Sequence, residues 1–322
     1  DPLLPEMVFS NMSGWKEWFW GKVPLPNCSM KVTSVMKKVN QVELDMVGRY
    51  YQAQDFRLCR RLILEKGVSA VTVETTLKNL AEESESATLW VNIIPNNLSG
   101  GGKAVYPVRG KADYAAGRAV TRYPEDQVIT TETQKGKNNF LVPGQPWTAR
   151  VYPRQKIVMV FATDMANLAP DGAFYSWHGP KNGEEIRTME IIYSPIKLAP
   201  GKTRAMTSRL LVFKGLSGIS TLCGDVALDS KTKITSQGLN IVLDLSSVRR
   251  YADLHVKTCL VKVEALETVP ETTREFVVSA LNPGQCKTLK YTLSSQLPKG
   301  KYFVSGTING NKFLIMKMIE IK

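Results

Sequence analysis

Apolar and polar residues alternate along most of this chain with a period of two, the mark of strands that bury one face. The runs "MKVTSVMKKVNQVELDMV" (30–47), "FRLCRRLILEKG" (56–67), "SAVTVETTLKNL" (69–80) and "ATLWVNIIPN" (87–96) are separated by Gly, Asn and charged turns. "QKIVMVFAT" (155–163), "IRTMEIIYSPIKL" (186–198) and "AMTSRLLVFKG" (205–215) continue the pattern. Helical periodicity is hard to find anywhere; "LAEESESA" (80–87) reads as a loop or a single turn of helix. Residues 96–146 are polar and rich in Gly, Lys and Tyr, and read as a long loop of the kind that is functional or poorly ordered in compact domains.

Small residues interrupt two strand runs at "FKGLSGIS" (213–220), which predicts a domain junction there. Beyond it, six or seven short strands spaced by roughly 8–12 residues read as an immunoglobulin-like β-sandwich. The Asn-Gly of "TINGNKF" (307–313) predicts a two-residue hairpin turn. The expected fold is therefore all-β, with a larger domain over residues 1–216 and a smaller accessory sandwich over 217–322. The 322-residue length fits two domains, because single cores rarely grow past ~250 residues.

The net charge of +13 first suggests nucleic acid, but its distribution argues against that. Residues 217–322 hold 14 Lys+Arg against 9 Asp+Glu, or +5, which leaves +8 for 1–216. The excess is spread evenly, and the short patches "VMKK", "CRR" and "VRR" belong to no nucleic-acid motif. The expected partners exclude nucleic acid and include carbohydrate; the basic surface is either simply solvated or suited to an acidic polysaccharide.

No apolar run approaches the ~20 residues of a membrane span. The chain begins at Asp1 without a signal-like segment, so an export signal is expected to have been removed already, or the segment cut from something longer. Five cysteines without metal spacing leave at least one thiol unpaired within the chain, and three of them lie where one disulfide could form. Two histidines, His178 and His255, are too few for a histidine-based metal site, and no metal or cofactor is expected. GxSxG, Walker and Rossmann patterns are all missing.

The strand order of residues 30–213 resembles the β-supersandwich of the galactose mutarotase-like superfamily. "FRLCRRLILEKGVSAVTVETTLKNLAEES" is similar to that family's strand pair ending in Asn before a loop, and "ATLWVNIIPN" to the strand that follows. "KIVMVFATDMANLAPDGAFYSWHG" resembles its strand ending in Thr-Asp, and "MEIIYSPIKLAPGKT" its glutamate-bearing strand with a Leu-x-Pro-Gly turn. The resemblance covers about half the chain. It implies handling of carbohydrate, with Glu190 as the general base of an epimerase-type site. The family's acid histidine belongs on the "LWVNIIPN" strand, where this chain has none; Asn92 and Asn96 cannot act as acids near neutral pH. His178 is a possible acid from a later loop and no positional match.

Glu190 is thus either an exposed strand carboxylate or a cleft residue. "FYSWHGPKNGEE" (174–185) brings Tyr175 and Trp177 beside His178, as either a stacking platform for sugar rings or an apolar loop anchor. "WKEWFWGK" (15–22) reads as aromatic packing on the sandwich or as a cleft edge. Arg57 offers a cation for a uronate carboxylate, or belongs to a solvated strand face. Trp90, Asn92, Tyr175, Trp177 and Arg57 are the candidate substrate contacts, with Glu190 and His178 the candidate catalytic pair. The expected role is periplasmic or secreted carbohydrate handling, by an enzyme or by a non-catalytic module of a larger polysaccharide-processing protein.

Overall fold

The computed structural model describes residues 14–19, 28–50, 53–94, 102–110, 123–131, 140–170, 172–175, 178–181, 184–265, 267–294 and 297–322. Of 14–19, 28, 29, 49, 50, 53, 54, 94, 131, 178–181 and 184–187 it describes the backbone alone. Among the described residues, the regular structure is β-strand apart from one 3-10 turn at Met165–Asn167, as the alternation requires.

A nine-stranded antiparallel sheet runs in the order Cys28–Lys38, Gln41–Tyr50, Ala53–Glu65, Ala70–Asn79, Thr203–Lys214, Ile157–Thr163, Trp147–Tyr152, Lys103–Val108 and Gln127–Thr131. A four-stranded sheet faces it, ordered Gly14–Phe19, Leu89–Ile94, Met189–Ile192, Phe174–Tyr175. Their shared core joins Phe56, Leu58, Leu77, Tyr106, Phe161 and Met206 of the large sheet to Leu89, Val91, Phe174 and Ile191 of the small one. Ala70–Asn79 shows why: Val73, Thr75, Leu77 and Asn79 are buried at alternate positions while their neighbours stay partly exposed.

The stretch read as a long loop, 96–146, instead supplies the strands Lys103–Val108 and Gln127–Thr131. Ala104 through Val108 are buried without alternation, because this strand is covered on both faces. Ala104, Tyr106 and Val108 join the core shared with the small sheet, and Val105 joins a different cluster.

Among the described residues, no strand after Lys214 pairs with one before it. Two four-stranded sheets, Thr221–Cys223, Val226–Thr235, Gly238–Ser247, Cys286–Leu293 and Thr268–Leu281, Tyr251–Lys262, Gly300–Ile308, Asn311–Ile321, enclose a second core between them. The hairpin expected at Asn-Gly is there: Ile308 pairs with Asn311, and Asn309 and Gly310 take φ of 47° and 82°, the left-handed values of a two-residue turn.

The two sandwiches are docked firmly. A third hydrophobic cluster passes through the junction, joining Trp147, Val158, Val160, Leu211 and Phe213 to Ile219, Ala227 and Val248. Asp225 pairs with Arg209 (2.5 Å) from across the junction and with Arg249, which in turn reaches Glu65 at 3.6 Å. Gln145 donates to the Leu314 carbonyl (2.7 Å) and accepts from the Trp147 indole (2.8 Å) and the Thr221 hydroxyl (3.1 Å). The nine-stranded sheet is thus covered on one face by the small sheet and, over its middle strands, on the other by the second sandwich.

Cys59, Cys223, Cys259 and Cys286 are free thiols, so the C-terminal cysteines form no disulfide with one another. Among the described residues no helix is long and apolar enough to cross a membrane.

Candidate functional site: an enclosed carboxyl–amide pair under three aromatic rings

Met189–Ile192 lies inside the four-stranded sheet, between Leu89–Ile94 and Phe174–Tyr175. Side chains alternate across a strand, so this small sheet has two faces with different inventories. Leu89, Val91, Ile93, Phe174, Met189 and Ile191 turn inward to the main core. The outward face carries Trp90, Asn92, Tyr175, Glu190 and Ile192. Register sets Tyr175 opposite Glu190, Glu190 opposite Asn92, and Asn92 opposite Lys16. Such directly opposed residues hold their Cβ atoms ~4.5–5.5 Å apart, so carboxyl and amide are immediate neighbours.

The polar residues of the outward face are as buried as the inward core: Glu190 is 2% exposed and Asn92 0%. Thr188, two positions before Glu190 and therefore on the same side, donates its hydroxyl to Glu190 Oε1 (2.5 Å). The Trp90 indole approaches the same carboxyl in a geometry short of a well-formed hydrogen bond. Among the described residues, Glu190 Oε2 and both amide atoms of Asn92 have no hydrogen-bond partner. Three rings adjoin the pair. Trp90 meets Tyr175 edge-on at 5.5 Å between centroids, Tyr175 lies 5.0 Å from Phe140, and Phe140 lies 6.3 Å from Trp90. Phe140 is buried, whereas Trp90 and Tyr175 are partly exposed, so these two rings mark the side of the pair nearest solvent.

Burial pushes the Glu190 carboxyl up to about 8, with the Thr188 hydroxyl and the Trp90 indole drawing it only part of the way back. At pH 7 the group is therefore a neutral acid. A general base must have lost its proton at the working pH, so the expected role of Glu190 as a base requires its carboxyl to ionise against this burial. Glu190 is not an exposed strand carboxylate. A protonated carboxyl donates one hydrogen bond while its other oxygen accepts, and the Asn92 amide offers both donors and an acceptor. A hydroxyl both donates and accepts, so the unpaired atoms of the pair complement hydroxyl groups.

The other expected residues fall as follows. Tyr175, Trp90 and Asn92 are brought together with Glu190. Arg57 is not: its neighbours Phe56 and Leu58 face the shared core, so Arg57 lies on the opposite face of the nine-stranded sheet, in a row with Arg49 and Lys78. Trp177 lies outside the described residues. His178 begins the strand His178–Lys181, which pairs with Glu184–Arg187, and its side chain lies outside the description. Of "WKEWFWGK", Gly14–Phe19 forms the edge strand beside Leu89–Ile94.

Several residues that carry the family resemblance have local structural tasks. Asn79 is fully buried, donates to the carbonyls of Glu83 (2.8 Å) and Leu198 (2.9 Å), and accepts from the Ala81 N–H (2.8 Å). Asp164 caps the 3-10 turn. Gly201 has φ of 70°, the left-handed conformation that its turn requires. Phe140 and Thr188 were missed by the sequence reading. Thr188 had a signal, since Thr-x-Glu on a strand places both side chains on one face; Phe140 had none, because it arrives from a distant segment.

Fold and site together define an all-β protein of two sandwiches with an enclosed carboxyl–amide pair. No protein-family model matches the sequence, and no curated protein matches it. Among solved structures the chain is similar to a protein from Synechocystis sp. PCC 6803 (12% identity, 57% of this chain and 65% of that one, TM-score 0.39). It is also similar to galactose mutarotase-like proteins from Clostridium acetobutylicum (8%, 57% and 66%, 0.41) and Lactobacillus casei ATCC 334 (11%, 56% and 72%, 0.39). The chain spans just under two thirds of the length of the first two. The likeness is one of fold and says nothing of what this chain binds.

Proposed function

We propose that this protein binds carbohydrate at the outward face of its four-stranded sheet. The observation that carries the reading is the unpartnered Glu190–Asn92 pair beneath partly exposed aromatic rings. Leaving a buried polar group unsatisfied costs ~1–3 kcal/mol, and two adjacent side chains bear that cost here. Sugar hydroxyls supply the missing partners, while the C–H face of the ring packs on Trp90 and Tyr175. In this reading Glu190 works as a neutral donor, and the protein is a binding module; a catalytic role for Glu190 would be that of an acid. The basic surface favours an acidic saccharide. The strand order of the second sandwich supports an immunoglobulin-like accessory domain over 217–322. The four free thiols weigh against the expectation of an extracytoplasmic location, where cysteines are usually paired.

The test is a saccharide array with wild type, Asn92→Leu and Trp90→Ala, with the melting temperature of each protein measured in parallel. A folded Asn92→Leu protein that loses saccharide binding supports the proposal. Undiminished binding in folded Asn92→Leu and Trp90→Ala proteins would overturn it.

A further inference from the structure

A cleft whose lining includes neither Glu190 nor Asn92 lies where the two sandwiches meet. Its volume is about 1170 Å³, with one wall from each body. Its first wall comes from the corner of the nine-stranded sheet, with Thr163, Thr207 and Arg209. Its second is the outer face of the sheet containing Tyr251–Lys262, Gly300–Ile308 and Asn311–Ile321. The volume exceeds the ~300–1,000 Å³ of usual small-molecule pockets, so the space suits a chain of several rings better than one.

The second wall has an ordered charge pattern. Lys257 is the register partner of Thr307, and Thr307 of Lys312, so two ammonium groups flank one hydroxyl across three adjacent strands. Gly306 permits this spacing: a Cβ there would fall 1.9 Å from the Lys257 carbonyl oxygen. Two residues on from Lys257, Cys259 faces the same cleft by strand alternation; the register irregularity opposite it lies in Thr268–Leu281, five positions of which stand against two of Tyr251–Lys262. Lys257 shares an exposed ion pair with Glu275 (3.0 Å), a contact of the kind worth at most about 1 kcal/mol. Lys312 has no ion-pair partner among the described residues, and Arg209 is held by Asp225. The lining has one carboxylate, Asp164, against three cations.

We propose that this cleft binds a carboxylated oligosaccharide, one carboxylate lying over Thr307 between Lys257 and Lys312 and the ring hydroxyls meeting Thr163 and Thr207. The aromatic residues of the lining, Trp147 and Phe313, are buried and offer no ring for a base to stack on, which disfavours single-stranded nucleic acid. Tyr251–Lys262 and Gly300–Ile308, which form the middle of the wall, are paired on both sides, which disfavours a peptide added there as an extra strand. The site is separate from the Glu190–Asn92 pair, and either can fail without the other.

The probe is a trimer of galacturonic acid, titrated by calorimetry at two salt concentrations, with its methyl ester, a sulfated oligosaccharide and a single-stranded oligonucleotide as comparisons. Wild type should bind the acid trimer, more weakly at high salt, and the ester at least tenfold more weakly. Lys312→Ala and Lys257→Ala should each weaken the acid trimer about tenfold, as losing one charge-assisted hydrogen bond does. Thr307→Val provides a variant without charge change, with a smaller loss. Asn92→Leu should leave this binding intact, which separates it from the proposal for the small sheet. Equal affinity for acid and ester, no binding of the acid trimer, or undiminished binding in the Lys257→Ala/Lys312→Ala double variant would overturn the inference. So would tighter binding of the sulfated oligosaccharide or the oligonucleotide than of the carboxylated trimer.

Discussion

The two faces of the four-stranded sheet both carry buried side chains but are differently made, and only the outward one has partly exposed rings, Trp90 and Tyr175. The inward face is Leu89, Val91, Ile93, Phe174, Met189 and Ile191, all apolar and all part of the main core. The outward face has a carboxyl, an amide and an indole among its buried or partly buried groups, and three polar atoms of Glu190 and Asn92 lack partners among the described residues. Burial on the inward face is explained by the hydrophobic effect alone. Burial on the outward face works against solvation of its polar groups, and stability gives no reason to keep them. That difference separates a face selected for packing from one selected for something else.

Truncation of the inward face should have the largest effect. Phe174→Ala should cost about 3–5 kcal/mol in chemical denaturation, by lost transfer free energy and the cavity left behind. The loss should be the same at pH 5 and pH 8, because the residues of the inward face, Leu89, Val91, Ile93, Met189 and Ile191, carry no ionisable group.

The outward face should instead make stability depend on pH. In the unfolded chain Glu190 gives up its proton near 4.5, and in the folded protein only near 8. Between those values the folded state holds the extra proton, so this group's contribution is complete below pH 4.5 and falls by about 1.4 kcal/mol per pH unit as pH rises toward 8. Glu190→Gln keeps the shape without the proton, so its stability relative to wild type should climb by about 2.5 kcal/mol from pH 5 to pH 7. A difference that stays flat over that range would erase the distinction between the faces.

How far the sequence revealed this contrast depends on the strand. Alternation was clear where one face is exposed, as in Ala70–Asn79, and the Asn309–Gly310 turn followed from local chemistry alone. It failed where both faces are covered: Lys103–Val108 and Trp147–Tyr152 are buried nearly throughout, so no period appears, and the first was taken for loop. The same blindness hid the environment of Glu190. Ile192 shares its face and is fully buried, a sign in "MEIIY" that this side of the strand is also covered. The partnership of Glu190 with Asn92 depends on strand register, which alternation does not give, and the ring of Phe140 comes from fifty residues away.

Smaller effects should sharpen the comparison. Asn92→Leu removes two buried polar atoms that have no partner among the described residues and should raise stability by about 1–3 kcal/mol, the reverse of the usual result for a buried polar residue. If it destabilises instead, Asn92 is satisfied in solution and the face is ordinary. Trp90→Leu retains an apolar side chain but loses the edge-on contact with Tyr175, and should cost about 0.5–1.5 kcal/mol in the same assay.

The account turns on the charge state of one carboxyl. Carbon-13 NMR of the Glu190 side-chain carboxyl, assigned by comparison with Glu190→Gln and followed from pH 3 to pH 9, reads that state directly. The resonance should remain that of a protonated acid at pH 7 and titrate with a midpoint near 8. A midpoint at the ordinary 4.5 would contradict the account, because a carboxylate ionised at neutral pH would have to be solvated or paired, and the outward face would then be neither dry nor unsatisfied.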